Sequence, residues 1–343
     1  MNPAQNPPPP PRPVVGVSSC LIGAPVRYNG GHSRYKFLTD ELDRHVDWLP
    51  VCPEAEIGLG APRPTLRLQD RAEAGGAEAE GSEAGGAETG RADRVISSKD
   101  GTDHTDDLAA VADRHLRELR RLDGYVLKNK SPSCGLYALP VFNDNGDRLR
   151  GTGRGAFAAR LTALLPHLPV EEQGRLSDAV LREHFVERVF AHSRLRALLE
   201  SEWRPRDLVE FHARHKLQLM AHSPDGYRET GRIVARAGSD APEEIASVYA
   251  EAFHRALAVK TSRGKHANVL QHVFGMISPM LDDTRRHDLL AGIEEYREGQ
   301  APLSLPVALL RHHCSAEDVA WASNQTYLRP YPDPLRLRHP VAV

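Results

Sequence analysis

Three short apolar segments, each leading to a cysteine, constrain the fold of this chain more than any other feature. Short apolar runs bounded by turn residues are typical of buried strands. In an open α/β sheet, side chains that follow the carboxyl ends of the strands converge in one crevice. We therefore predict an α/β fold in which three cysteines, far apart in the sequence, meet in space. The segments at residues 14–19, 48–51 and 125–127 lead to Cys20, Cys52 and Cys134, respectively.

The cysteine content indicates a reducing compartment. The chain has 4 cysteines among its 343 residues. The N-terminus shows no apolar signal segment, and no run of about 18 apolar residues is present. These features predict a cytoplasmic protein with no membrane contact, in which clustered cysteines more often mark metal binding or catalysis than disulfides.

The three cysteines favour an iron–sulfur cluster. Three thiolates without a nearby fourth ligand leave one iron open, and open positions are where metal chemistry occurs. Three ordinary buried cysteines, packed as small hydrophobic side chains, are the simplest alternative. A structural zinc site is disfavoured because paired Cys-x-x-Cys spacing is absent.

The segments around these cysteines resemble a known family. Val17-Ser-Ser-Cys-Leu-Ile-Gly23, Val26-Arg-Tyr-Asn-Gly30, Cys52-Pro-Glu54, Gly58-Leu59, Pro62-Arg63-Pro64 and Lys130-Ser-Pro-Ser-Cys-Gly135 are similar to the TudS thiouracil desulfidase family, DUF523. The resemblance implies a [4Fe-4S] cluster held by the three cysteines. It also implies non-redox chemistry in which the open iron binds the sulfur of a thiolated base and water replaces that sulfur.

The second half of the chain resembles another domain family, called YbgA-like or DUF1722. The matching segments are Phe211-His-Ala-Arg-His-Lys216, Met220-Ala-His222, Lys260-Thr261, His266-Ala-Asn-Val-Leu-Gln-His272 and Tyr327-Leu-Arg-Pro-Tyr-Pro332. The two domains together resemble the RudS-type two-domain desulfidases over about residues 14–335. That resemblance implies removal of sulfur from 4-thiouridine in tRNA, which leaves uridine and sulfide.

Two residues are predicted to be catalytic. Glu54 stands two positions after Cys52, where a carboxylate can activate water or move a proton to the ring nitrogen. Capping of a helix N-terminus is the alternative role for this glutamate. Ser131, before Cys134, is predicted to hydrogen-bond the substrate or a water. Ser133 is predicted to support the loop and is a further candidate for contact with the substrate.

Several cationic and aromatic residues near the cysteines are predicted to contact the substrate. A tyrosine can stack on a base, and arginine and lysine can hold phosphate or offset thiolate charge. Packing or a solvated surface position is the alternative for each of them. These residues are Arg27, Tyr28, Arg63, Lys128 and Lys130.

The pattern along the chain predicts two domains. Residues 1–13 contain a proline run and are expected to form a disordered arm. Residues 14–168 form the predicted α/β domain, with an open and mostly parallel sheet, interrupted at 71–94 by a low-complexity insertion. Residues 169–343 show helical periodicity and no alternating strand pattern, so we predict an all-α bundle.

The helical half is predicted to bind tRNA. The chain carries 44 Lys+Arg against 46 Asp+Glu, which excludes a uniformly basic nucleic-acid binder but not a local patch. On the predicted helices, histidines and lysines share faces that can meet phosphates and splayed bases; a solvated face is the alternative. The candidate contacts are His212, His215, Lys216, Lys260, Lys265 and His272.

These features predict a cytoplasmic tRNA 4-thiouridine desulfidase, and no stable protein partner is inferred. A desulfidase of free 2-thiouracil or other thiolated nucleobases is the nearest alternative. A non-enzymatic RNA-binding iron–sulfur protein is an alternative of another class. Cys314 is predicted to be a core cysteine of the helical half, because a fourth protein ligand would close the cluster.

Overall fold

The computed structural model describes residues 12–70 and 93–339, and these residues form two compact units. One unit spans Val14–Leu176 and the other begins at Ser177. The predicted proline-rich arm lies outside the described residues except for residues 12 and 13. The predicted insertion lies outside them except for residues 93 and 94, and Arg94 already begins a strand.

The first unit is an α/β domain, as predicted, but the eight strands of its described residues form two sheets rather than one. The first sheet is entirely parallel, in the order β2-β1-β5-β8. The second has the order β4-β3-β6-β7, with one parallel pair in its centre and an antiparallel pair at each edge. The strands are β1 Val14–Ser18, β2 Asp47–Val51, β3 Leu66–Gln69, β4 Arg94–Ser97, β5 Gly124–Leu127, β6 Leu139–Phe142, β7 Arg148–Gly153 and β8 Val170–Glu172.

The second sheet follows from local turn chemistry. A hairpin turn at residues 143–146 joins β6 to β7, and Gly146 adopts a left-handed backbone with φ of 87°. Asn143 accepts a hydrogen bond from the backbone of Asp147 at 2.8 Å. Tight turns of this kind join antiparallel strands, so β6 and β7 pair antiparallel and do not continue the all-parallel pattern of the first sheet.

The parallel sheet is buried in its centre. Val15, Val17 and Val126 have no exposed surface, as expected of strands covered on both faces. Gly16 is required there, because a Cβ atom would lie 2.2 Å from the ring of Tyr125. Helices and turns surround the two sheets. They are α1 Pro53–Glu56, α2 Thr105–Arg114, α3 Leu116–Leu119, α4 Ala156–Leu164, the 3-10 turns Ser19–Ile22 and Leu42–His45, and the π turn Phe37–Glu41.

The boundary predicted after residue 168 is too early. β8 pairs with β5 in register Tyr125↔Val170, which adds a fourth strand to the parallel sheet. Glu172, at the end of β8, accepts hydrogen bonds from the backbone of Leu136 and Tyr137. A segment of three residues carries too little periodicity to be recognised as a strand, which is why the sequence pattern missed it.

The second unit is helical, as predicted, and several of its helices begin at side-chain caps. Asp178 accepts hydrogen bonds from two backbone N–H groups at the start of α5, and Ser223, Ser262 and Asp282 cap α7, α9 and α10. Two apolar clusters of described residues contribute to its core. The helices are α5 Ala179–Leu199, α6 Pro205–His222, α7 Pro224–Val234, α8 Pro242–Ala258, α9 Arg263–Ile277, α10 Asp283–Glu298, α11 Ser304–Ala316 and α12 Ala320–Ser323, with 3-10 turns at Arg175–Ser177, Ser278–Met280, Thr326–Leu328 and Asp333–Leu335.

Among the described residues, none of the helices combines the length and apolar character that crossing a membrane requires.

Candidate functional site

The carboxyl ends of β1, β2 and β5 bring the three cysteines to one cavity. Cys20 lies in the 3-10 turn that follows β1, Cys52 is the residue before α1, and Cys134 lies in the loop after β5. All three line a cavity of about 350 Å³ in the α/β unit. The predicted convergence is therefore present, while the role of the cysteines as ligands stays a prediction.

The surroundings of the thiols favour the neutral form. Cys20 and Cys134 are buried and Cys52 is half-buried. Burial, with the adjacent Cys52 as a second cause, raises the pKa of Cys20 to about 11. Burial also raises the pKa of Cys52 and, together with the nearby Glu54, that of Cys134. Three thiols grouped in this way become thiolates only beside a strong positive charge, which a bound metal centre provides.

The donor set fits a cluster better than a single ion. Among the residues that the structure describes, no group of three His, Cys, Asp or Glu side chains is arranged to hold one metal ion. In an iron–sulfur cluster the thiolates bind different irons, so they surround a volume instead of converging on one point. Three cysteines on the walls of one cavity therefore fit a [4Fe-4S] cluster, and a structural zinc site is not supported.

The loop that carries Cys134 is held by Ser131. Its hydroxyl oxygen accepts hydrogen bonds from the backbone N–H groups of Ser133, at 3.3 Å, and Cys134, at 3.2 Å. Its carbonyl accepts one from Gly135 at 2.7 Å. Lys130 enters this turn with a left-handed backbone, φ 56°. Ser131 therefore supports the loop, the role that was predicted for Ser133, and its predicted contact with the substrate or a water stays a prediction.

Glu54 is fixed through both of its carboxylate oxygens. Oε1 accepts a hydrogen bond from the hydroxyl of Ser133 at 2.8 Å and lies 3.4 Å from that of Ser131. Oε2 accepts hydrogen bonds from Nε and Nη2 of Arg63 at 2.8 and 2.5 Å. Charge-assisted bonds of this kind are short and hold their partners firmly. The carboxylate thus interacts with Arg63 and Ser131 on the cavity wall and with the buried Ser133, and both Glu54 and Ser133 lie next to the predicted ligands.

Arg63 has a structural role that the sequence did not predict. Its guanidinium also donates to the carbonyls of Val26, at 2.9 Å, and Gly60, at 3.0 Å. Its side chain is only 6% exposed. With four of its five N–H groups committed to Glu54 and two backbone carbonyls, Arg63 orients Glu54, and its predicted contact with the substrate stays a prediction.

The remaining predicted contacts lie around the cavity. Tyr28 is 44% exposed, and the guanidinium of Arg27 lies 5.6 Å from its ring centroid. Lys128 donates to Oδ1 of Asn129 at 2.6 Å, and burial lowers the pKa of Lys128. Lys130 is exposed at the same cavity. An exposed tyrosine beside an arginine suits stacking on a base, and this role stays a prediction.

Two site residues were missed by sequence reasoning. Ser18, the last residue of β1, is buried; its hydroxyl accepts a hydrogen bond from the backbone of Lys128 at 2.9 Å and hydrogen-bonds Cys134, which opposes the rise in that cysteine's pKa. Gly155 must lack a side chain, because a Cβ would lie 2.5 Å from the carbonyl of Ser133. The polar Ser18 directly after an apolar strand, and the repeated glycines at 151–155, were the available signals.

The predicted RNA contacts of the helical unit separate into surface and interior residues. Lys260 and His272 are exposed. Lys216 is half-buried, with its ammonium 4.3 Å from the ring centroid of Trp321, and Lys265 donates to the carbonyl of His222 at 2.7 Å. These four residues retain at least part of their surface.

Two histidines of the predicted face do not suit contact with RNA. His215 is 2% exposed, stacks on Phe211 and bonds its carbonyl through Nδ1, so its prediction as an RNA contact is wrong. His212 is half-buried and bonds the hydroxyl of Tyr249 at 3.2 Å, which leaves it little surface. Helical periodicity places both residues correctly, but α7 and α8 pack against this part of α6 and cover it.

Cys314 lies in the apolar core of the helical unit, as predicted. It has no exposed surface, and burial raises its pKa to about 11. A thiol in this environment packs as a small hydrophobic group.

Comparisons with known proteins agree with this division of the chain. Residues 15–173 match the family model for 2-thiouracil desulfurase, and residues 216–332 match that of the protein of unknown function DUF1722. A solved structure of a [4Fe-4S]-dependent thiouracil desulfidase, TudS, aligns with 51% of this chain and 99% of its own, at 26% identity and a TM-score of 0.36. The 2-thiouracil desulfurase match supports a desulfidase of thiolated nucleobases.

A curated relative matches at higher sequence identity. The uncharacterized protein YbgA of Escherichia coli (strain K12) is 33% identical over 153 residues, which cover 44% of this chain and 90% of YbgA. The chain therefore belongs to the family of YbgA and combines a 2-thiouracil desulfurase domain with a DUF1722 domain.

Proposed function

We propose that this protein is an iron–sulfur-dependent desulfidase that converts 4-thiouridine in tRNA to uridine. The observation that carries the proposal is the placement of three cysteines and an oriented carboxylate, Glu54, on one cavity of the 2-thiouracil desulfurase domain. An isolated cysteine cluster needs no such carboxylate, whereas exchange of sulfur for oxygen requires a group that moves protons.

The protein provides the ligands and the charge balance for the cofactor. Cys20, Cys52 and Cys134 would hold the cluster, which supplies a thiophilic Lewis acid when bound. Lys128 and Arg27 lower the pKa of Cys20, against the larger effect of burial, so both stabilise its thiolate. The hydroxyl of Ser18 does the same for Cys134.

Glu54 acts on the water and the base. Conversion of a C=S group to C=O by water releases sulfide, so the attacking water must lose protons as its oxygen bonds to carbon. Oε2 of Glu54 is occupied by Arg63, which leaves Oε1, on the side of Ser133, to accept a proton from that water. The same oxygen then returns a proton to the ring nitrogen or the departing sulfide. A base within hydrogen-bond reach of the water meets the geometric requirement for this role.

The second domain supports RNA as the substrate. A free thiolated base is small enough to need only the α/β unit, yet the chain continues into a helical unit of comparable size. That unit carries cationic side chains at its surface, among them the exposed Lys260 and the half-buried Lys216, whose ammonium lies over the ring of Trp321. The chain as a whole is not strongly basic. Local contacts of this type suit single nucleotides of a folded RNA.

Nucleoside analysis tests the proposal directly. The full chain, reconstituted anaerobically with iron and sulfide, is incubated with thiolated tRNA and, in parallel, with free 4-thiouridine and 2-thiouracil. We expect loss of 4-thiouridine from the tRNA with equal formation of uridine and sulfide. If the free bases are turned over while the 4-thiouridine of the tRNA remains unchanged, the protein is instead a desulfidase of free nucleobases.

Salt should separate the two substrate classes. Neutralising phosphates releases counterions, so kcat/KM on tRNA should fall steeply between about 50 and 200 mM salt, by roughly threefold for each phosphate that the protein neutralises. Free 4-thiouridine carries no phosphate and serves as the internal control, with nearly constant kcat/KM. Parallel salt curves for the two substrates would contradict a phosphate-binding role for this protein.

Ser133 should affect the rate through Glu54. Ser133→Ala removes the hydroxyl that donates to Oε1 at 2.8 Å. A hydrogen bond to a charged group contributes about 1.5–3 kcal/mol, so we expect a fall in kcat of roughly tenfold to a hundredfold with iron–sulfur absorbance retained. Ser98→Ala, which removes an exposed hydroxyl bonded to Thr65, is the matched control. Equal rates for the two variants would show that Ser133 does not position the carboxylate.

A further inference from the structure

The helical unit contains a cavity that the proposed chemistry does not use. It has a volume of about 230 Å³ and lies between the first turns of α5, the end of α6, the start of α9 and the segment around Arg338. Pockets for drug-sized ligands measure about 300–1,000 Å³. The cavity is therefore suited to one ring system with a small substituent and not to a helix or an extended peptide.

The walls of the cavity present uncharged polar edges. Burial lowers the pKa of His184 to about 4 and that of His266 to about 3, so both imidazoles are neutral at physiological pH. Each is oriented by one ring nitrogen: Nε2 of His184 donates to the carbonyl of Leu257 at 2.9 Å, and Nδ1 of His266 bonds the hydroxyl of Tyr327 at 2.9 Å. Neutral and oriented imidazoles of this kind can donate to or accept from the edge of a planar heterocycle.

The floor of the cavity is charged but internally balanced. Glu183 accepts hydrogen bonds from Nε of Arg338, at 2.7 Å, and from the hydroxyl of Tyr331, at 3.1 Å. Glu187 accepts one from Gln218 at 2.8 Å, and although burial opposes it, His222 and Arg338 lower the pKa of Glu187. The carboxylates of Glu183 and Glu187 would repel an anion, so the floor is unfavourable for one.

Two buried nitrogens at this floor have only a distant partner among the described residues. Nε2 of His222 meets Glu187 at 3.5 Å, the limit of a hydrogen bond, and Nη2 of Arg338 lies 3.8 Å from Glu187 without a hydrogen bond. Both residues line the cavity. Buried polar atoms are almost always satisfied in native proteins, so a polar ligand or water in this cavity is the expected source of the missing hydrogen bonds.

The mouth of the cavity, in contrast, favours an anion. Lys260 is exposed there, and Ser262 caps α9, whose first backbone N–H groups have no partner within the helix. Arg263, the first residue of α9, lines the same opening. A helix N-terminus flanked by cationic side chains stabilises a phosphate group. The cavity therefore combines a phosphate site at its mouth with a small neutral interior.

We propose that this cavity binds one nucleotide, with its base inside and its phosphate at the mouth. The base edge meets His184 and His266, and the phosphate meets Lys260 and the start of α9. We take this nucleotide to be part of the RNA substrate, and only in this respect does the inference rest on the proposed function. A free nucleoside monophosphate has the same chemistry and is distinguished by experiment.

Calorimetric titration of the intact protein tests this site. Uridine monophosphate should bind saturably and tighter than either uridine or inorganic phosphate, because only the nucleotide fills both parts of the cavity. Thiolated tRNA should compete with it if the nucleotide belongs to RNA, whereas absence of competition would identify a free nucleotide as the occupant. Absence of saturable binding of uridine monophosphate would overturn the proposal.

Two substitutions locate the binding. Lys260→Ala should weaken uridine monophosphate binding by roughly tenfold or more, the loss expected for one charge-assisted contact. Val180→Phe, at a partly exposed position on the cavity wall, should block entry of the base. Arg206→Ala removes an exposed cation of the same unit, away from the cavity, and should leave binding unchanged. Equal binding by the Lys260→Ala and Arg206→Ala variants would place the nucleotide elsewhere.

The same variants separate this inference from the proposed function. All of them retain the cysteines and Glu54, so they should keep iron–sulfur absorbance and turnover of free thiolated bases. If no thiolated substrate is turned over by the unaltered protein, the proposed function fails whatever the cavity binds. If tRNA is turned over equally well by the unaltered protein and by Val180→Phe, the RNA nucleotide does not use this cavity.

Discussion

Replacing Cys20, Cys52 or Cys134 by alanine should abolish both the iron–sulfur absorbance and the desulfidase activity of the reconstituted protein. Each thiol lines the same cavity, at the end of a different strand. In the predicted arrangement the three cysteines are the protein ligands, so the loss of one leaves two thiolates to hold the cluster. The visible absorbance, the iron content and uridine formation should therefore be lost together in each variant.

Cys314→Ala is the matched control for this series. Cys314 is fully buried in the apolar core of the helical unit. Removing its sulfur leaves a small cavity, for which we expect a loss of about 0.5–1.5 kcal/mol in the free energy of unfolding. Absorbance, iron content and activity should be unchanged at temperatures below unfolding. Loss of iron from this variant, or full activity in any of the other three, would contradict a cluster held by three cysteines.

Placement of the three cysteines was predictable because it depends on topology. A parallel strand places its carboxyl end at the same edge of the sheet as its neighbours, whatever the intervening sequence. The segments predicted at residues 48–51 and 125–127 correspond to β2 and β5, each of which begins one residue earlier in the structure. The helical character of the second half was likewise predictable, because helical periodicity recurs along residues 169–343.

Side-chain partners were less predictable because they depend on contacts between distant segments. Arg63 and Ser133 are separated by 70 positions in sequence but bind opposite oxygens of one carboxylate. A Pro-Arg-Pro sequence gives no sign of whether its guanidinium points to a substrate or to a neighbouring acid. The same limit explains His215, whose helical face was correctly assigned but whose burial is decided by the packing of α8.

Glu54→Gln should leave the iron–sulfur absorbance intact and lower kcat by roughly 10²–10⁴-fold, the usual range for a general acid–base residue. The amide has nearly the same shape and can still accept a hydrogen bond from Ser133, so the Cys134 loop should keep its position. It cannot take a proton from water, however, and that is the step assigned to Oε1. The loss should appear mainly in kcat, because binding of the thiolated base does not require this proton.

The neighbouring glutamate of the same short helix provides the control. Glu56 lies two residues after Glu54 in α1 and pairs with His115 at 2.5 Å. Glu56→Gln removes the same carboxylate charge from the same short helix. The pair that it breaks is partly exposed, and pairs of this kind contribute little to the free energy of folding. Its turnover should therefore remain close to that of the unaltered protein.

Stability must be measured alongside turnover, because Glu54→Gln also removes the charge that faces Arg63. Breaking a buried ion pair by changing one partner costs about 3–5 kcal/mol of folding free energy. The Tm of Glu54→Gln should consequently fall more than that of Glu56→Gln, and activity should be assayed at temperatures below both unfolding transitions.

A second variant, Arg63→Ala, removes the other partner of the same pair while retaining the carboxylate. If Glu54 is a base, Arg63→Ala should keep measurable turnover with an altered pH profile, whereas Glu54→Gln should not recover at any pH. Equal residual activity and the same pH profile in both variants would mean that the ion pair supports the loop and that Glu54 takes no part in proton transfer.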